Sequence, residues 1–163
     1  FKMKVLIAID GIPSERSLIS ARKQKCDLVV INDKKEDVDA NLLVINNKDL
    51  FFKSALKYAE KYDFVYLMDN NTVLFKNCVN RILHKIGEYD GLYTDNVLCD
   101  LGNVSLGKRC TTYYTSIVHK KIDTGPNKLI KITKTLPSSM DEFLFSGKYN
   151  IQHLAEVTYF MGK

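Results

Sequence analysis

The chain lacks any apolar run near the 18 or so residues that a membrane-spanning helix needs, so no transmembrane segment is expected. Its apolar start, VLIAI at 5–9, is too short and too poorly flanked for a signal peptide, and a cytoplasmic location is the expectation. Cys26, Cys78, Cys99 and Cys110 show no C-x-x-C spacing. That removes the common metal-site patterns and makes a reduced compartment the default. Repeats, linkers and low-complexity segments are also missing, which argues for one domain over 1–163. A block of like charge is missing too. The net charge of +5 is spread over Lys34-Lys35, Lys108-Arg109, Lys120-Lys121, Lys128, Lys131 and Lys134. Such a spread suits an anionic, phosphate-bearing partner or simply a solvated surface. A nucleic-acid-binding domain would need a clustered basic face and steep salt dependence, so nucleic acid is not expected as a partner.

What is present reads as a folded α/β domain. Hydrophobic residues make up 45% and charged residues 26% of the 163, a globular composition with enough chain for a real core. KVLIAI (4–9) is a β-branched run closed by the Asp10-Gly11-Ile12-Pro13 turn. Ser14 is placed to cap a helix through about Gln24. DLVVIND (27–33) and NLLVIN (41–46) read as second and third strands. FFKSALKYAEK puts Phe52, Ala55, Leu56 and Ala59 at helical spacing. DFVYLMD is a fourth strand, NCVNRILHKIG a helix stopped by Gly87, and DGLYTDN a fifth strand. Beyond residue 96 the pattern turns to a hairpin around Asp100–Asn103. TTYYTSIVHKKI and NKLIKITK are strand-like, SSMDEFLF is a short helix, and NIQHLAEVTYF is a last strand-like piece.

Strands apolar on both faces and separated by helices predict a mostly parallel sheet flanked by helices, with a mixed or antiparallel C-terminal part. Ligands of such sheets bind beyond the carboxyl ends of the strands. Asp10, Asp33, Asp69 and Asp95 all fall at predicted ends, so the mouth is expected to be lined with carboxylates. Each acid by itself also fits a turn, as do Asn70 and Asn71 after Asp69.

In order along the chain, KVLIAIDGIPS, ARKQKCDLVVINDKKED, VINNKDLFFKSALKYAEKYDFVYLMDNN, YDGLYTDNVLCDLGNVSLGK and SSMDEFLFSGKYNIQHLAEVTYF resemble the segments of family-2 glycosyltransferases. That resemblance implies a GT-A, Rossmann-like fold, with 1–95 as the nucleotide-binding half and 96–163 as the acceptor-side half. It implies a metal-assisted, inverting transfer of a sugar from a nucleotide-diphosphate sugar, a UDP-sugar above all, to an acceptor. Asp10, Asp33 and Asp69 would bind the donor, Asp33 through the nucleobase. Asp69 opens the Asp-x-Asp position and Asn71 stands where its second acid would be. The two would hold Mg²⁺ or Mn²⁺, a hard cation suited to oxygen ligands and a Lewis acid for the departing diphosphate.

Asp141 and Glu142 occupy the place of the family's catalytic base, in inverted order. Ser139-x-x-Glu142 equally fits a capping box at a helix start. An amide at 71 carries no charge, so a catalytically inactive GT-A-like domain, serving as a nucleotide-binding or structural module, is the alternative. Asp95 reads as a turn residue or a group on the acceptor side. Tyr113 and Tyr114 read as strand packing or stacking groups. His84, His119 and His153 are isolated and carry no catalytic or metal reading.

Overall fold

The computed structural model describes residues 3–32, 44–46, 51–99, 113–118 and 125–162. Asp33, the hairpin expected around 100–103, His119 and the lysines at 34–35, 108 and 120–121 lie outside them. The elements run β1 (Val5–Asp10), α1 (Glu15–Arg22), β2 (Asp27–Asn32), β3 (Val44–Asn46), α2 (Phe51–Tyr58) and β4 (Phe64–Asp69). Next come β5 (Thr72–Leu74), α3 (Cys78–Lys85), β6 (Gly91–Cys99), β7 (Tyr113–Val118), β8 (Lys128–Lys131), α4 (Met140–Phe145) and β9 (Ile151–Gly162).

Alternation along the central strands builds two apolar layers. Val5, Ile7 and Ile9 of β1 and Phe64, Tyr66 and Met68 of β4 face one side, where Ala21 of α1 and Val79 and Ile82 of α3 cover them. Leu6 and Ala8, with Val65 and Leu67, face the other, where Phe52, Ala55 and Leu56 of α2 and Phe143 of α4 cover them. Side chains a period of two apart share a face, so a strand buried on both sides needs no polar alternation.

Local signals set the helix ends. The Ser14 hydroxyl accepts the Ser17 N–H at 3.2 Å and starts α1. Helix α3 begins after Asn77, which sits at φ 59° without a side-chain cap of its own. Gln24 supplies the missing partner. Its Oε1 accepts the Val79 N–H at 3.1 Å, while its Nε2 donates to Phe75 O at 3.0 Å and Ser20 O at 3.2 Å.

The sheet order is β3-β2-β1-β4-β8-β6-β9-β5, with β7 also on β6. Pairings β3-β2, β2-β1, β1-β4 and β6-β9 are parallel. Pairings β4-β8, β8-β6, β6-β7 and β9-β5 are antiparallel. The sheet is therefore mixed rather than mostly parallel. The cause is β8, a late strand that enters between β4 and β6 and runs against both. Strand β5, which the sequence pattern did not separate from the run after Asp69, leaves the turn to pair with β9.

Candidate functional site at the carboxyl ends of the strands

Asp10 and Asp69 are the last residues of neighbouring parallel strands and are direct register partners. Neighbouring strands lie roughly 4.8 Å apart. Both acids continue the alternation of Leu6-Ala8 and Val65-Leu67, and so point to the face that α2 and α4 cover. Of the four acids expected at strand ends, Asp10 and Asp69 stand side by side at the ends of β1 and β4.

The loops behind them interlock. Gly11 N donates to Ile31 O at 2.9 Å and Ser14 N to Asn70 O at 3.2 Å. Gly11 takes φ 86°, and a Cβ there would stand 3.2 Å from Asn70 Nδ2, so both conformation and space favour glycine. Asp69 Oδ1 accepts the Asn71 N–H at 2.8 Å, an Asx turn that leaves Asn71 exposed and Asp69 half-buried. The turn reading and the site reading of Asp69-Asn70-Asn71 are thus compatible, because only one carboxylate oxygen is used in the turn.

Two residues that sequence reasoning did not single out shape the same place. Asn127 is 3% exposed and sits at φ 67°. Its N–H donates to Leu67 O at 2.6 Å, and its Oδ1 accepts from Asp69 N at 3.3 Å and Thr72 Oγ1 at 2.9 Å. It therefore fixes the backbone on both sides of the turn. Lys128, counted in the sequence among dispersed surface lysines, is 2% exposed, and its ammonium group donates to the carbonyls of Gly125 and Pro126. Nothing local in the sequence marks either residue beyond the Gly-Pro-Asn turn signal before them.

Asp95 is not at a strand end. It lies inside β6, 2% exposed, with its Oδ1 2.7 Å from Nε2 of His153 on β9. The strand continues past it because β9 pairs with β6 along its whole length. His153, which looked isolated in the sequence, stacks on Tyr93 with ring centroids 4.8 Å apart and planes at 12°.

Asp141 and Glu142 open α4. Ser139 Oγ accepts the Glu142 N–H at 3.1 Å, and the Glu142 carboxylate accepts from both the hydroxyl and the N–H of Ser138. Those bonds from Ser138 hold the Glu142 carboxyl below its usual pKa. Glu142 is thus committed to the capping structure, whereas Asp141 is exposed. The helix docks through Phe143 beside Gly91 and Leu129, which register with Val65 and Tyr66 of β4, three to four residues short of Asp69. Among the described residues no group of three or more His, Cys, Asp or Glu is placed to hold a metal ion. Among them also, no helix is long and apolar enough to cross a membrane.

Comparison with solved structures finds chains that share this arrangement of a mixed sheet flanked by helices. S. aureus TarS matches over 99% of this chain with a TM-score of 0.61 and 16% identity. Its 1-349 fragment in complex with UDP matches with a TM-score of 0.63 and 18% identity, and the complex with UDP-GlcNAc with 0.60 and 16%. A197 from STIV matches over 94% of this chain and 82% of its own, with a TM-score of 0.52 and 20% identity. The chain spans 37% of the solved TarS chain and about 60% of the fragment. Identities this low establish likeness of fold alone. No protein-family model and no curated protein sequence matches the chain.

Proposed function

We propose that this domain binds a nucleotide-sugar donor, a UDP-sugar, at the Asp10–Asp69 mouth and transfers the sugar with inversion to an acceptor hydroxyl. The observation that carries the reading is the direct pairing of Asp10 with Asp69 at the ends of two parallel strands, on one face of the sheet. The likeness of fold to TarS, solved with UDP and with UDP-GlcNAc, supports it.

The donor set would consist of hard oxygens, those of the Asp69 carboxylate and the Asn71 amide. Mg²⁺ and Mn²⁺ accept such a sparse set because phosphates and water fill the remaining positions. Asp69 and Asn71 would hold the cation, which supplies charge neutralisation for the departing diphosphate. Asp33 keeps the nucleobase role that the family resemblance implies. Of the acids on α4, Asp141 is the one left available to an acceptor, since Glu142 is tied to Ser138.

A second reading, a nucleotide-binding module without turnover, is favoured by one feature, the uncharged Asn71 in place of an acid. Calorimetric titration with UDP, with and without Mn²⁺, tests the first reading. Binding that weakens at least tenfold in Asp69→Ala is expected, about 1.4 kcal/mol. No UDP binding by the unaltered chain would refute it. Binding without any release of UDP from UDP-GlcNAc would favour the module.

A further inference from the structure

We propose that Asp95 and His153 form a proton-accepting pair on the acceptor side of the mouth, with His153 taking the proton of the attacking hydroxyl. The inference rests on the sugar-transfer reading above, and it assigns the base to a residue pair other than the acids of α4.

Asp95 is 2% exposed while the His153 side chain is 31% exposed, and the two are 2.7 Å apart. A carboxylate buried this deeply costs free energy unless it is paired. Its partner here is the imidazole of His153, whose side chain is partly exposed. With Nε2–H donating to Asp95, Nδ1 keeps its lone pair. Stacking on Tyr93 fixes the plane of the ring, so that lone pair has a set direction. A carboxylate that orients an imidazole and stabilises the imidazolium it becomes is a recurring arrangement for general-base work.

Tyr93 is level with Lys128, and Lys128 with Leu67. Two residues further along, Asp95 is therefore level with Asp69, two strand spacings or roughly 10 Å away. Gly91 abuts Phe143, and Leu67 packs in the same layer as Phe143. By alternation Tyr93 and Asp95 share that face with Asp69. The register between β6 and β9 shifts on both sides of Asp95. Bulges of this kind re-aim side chains and concentrate beside sites. Thr94, on the opposite face, hydrogen-bonds Thr158 and anchors the irregular stretch.

In the transfer, the acceptor O–H proton moves to Nδ1 of His153 and the acceptor oxygen bonds the anomeric carbon. The bond from that carbon to the diphosphate oxygen breaks, and its electron pair leaves with the nucleoside diphosphate. The imidazolium then faces the Asp95 carboxylate.

The experiment measures UDP release from UDP-GlcNAc with water as acceptor, alongside UDP binding and melting temperature. The variants are His153→Ala, His153→Gln, Asp95→Asn and Asp141→Asn. Both His153 variants and Asp95→Asn should slow release about 100-fold, with UDP affinity near that of the unaltered chain; His153→Ala, which takes the imidazole from the buried Asp95 carboxylate, should melt lower than His153→Gln. Free imidazole should restore part of the His153→Ala rate, which a merely structural role would not allow. Undiminished release in both His153 variants, or loss confined to Asp141→Asn, overturns the proposal. UDP binding without release by the unaltered chain also overturns it while leaving a nucleotide-binding module. Absence of UDP binding overturns both readings.

Discussion

Replacing Asn127 by alanine removes the acceptor that joins β4 to β5 around the Asp69 turn. Thr72 is fully buried and its hydroxyl would lose its oxygen acceptor, keeping only the weak 3.9 Å contact to Met161 Sδ, a penalty within about 1–3 kcal/mol. The bond from Asp69 N is longer, 3.3 Å, and sits at the low end of that range. Alanine at φ 67° adds about 1 kcal/mol, because the left-handed region that asparagine tolerates crowds a plain Cβ. The Nδ2 atom is buried without a hydrogen-bond partner, so its removal offsets part of the loss. The sum is about 3 kcal/mol, or roughly 6–12 °C in melting temperature for a chain of this size. Asn127→Gly keeps the hydrogen-bond loss but relieves the backbone, and should melt above Asn127→Ala by the equivalent of about 1 kcal/mol. Thermal unfolding followed by circular dichroism reads both. A melting temperature for Asn127→Ala within about 1 °C of the unaltered chain would refute the reasoning.

Two further outcomes can be measured on the same samples. Gly91→Ala places a Cβ against the buried Phe143 ring, 2.9 Å from its Cε2 and 3.3 Å from Leu129 O. It should destabilise by about 1–3 kcal/mol as α4 is pushed outward, and an unchanged melting temperature would contradict that packing. Ser138→Ala removes one of the bonds that lower the Glu142 carboxyl pKa. A lowered folded-state pKa stabilises above the unfolded value, about 4.3, and the gain is lost as pH falls through the folded value. The melting-temperature gap between Ser138→Ala and the unaltered chain should therefore be present at neutral pH and close in acid. A gap that widens on acidification would show the sign to be wrong.

The runs VLIAID and FVYLMD were legible as buried strands because both of their faces are apolar, and the observed layers divide their side chains alternately. Ser14 and Ser139 were legible as helix caps because capping is local chemistry. The direction of β8 was not legible. KLIK is equally apolar whichever way it runs, and its orientation follows from where the chain re-enters the sheet. Asp95 was misplaced for a related reason, since a strand ends where its partner ends, and β9 carries β6 past the acid.

By itself the sequence determined the alternation of strands and helices, the Asp10 and Asp69 ends, and the capped acidic helix, all set by neighbours within a few residues. Only the tertiary structure decided what crosses the mouth. The bonds from Asp69 to Asn127 and from Asp95 to His153 each join residues 58 apart in the chain. No local propensity encodes such pairs, because they arise when late strands β8 and β9 insert beside early ones.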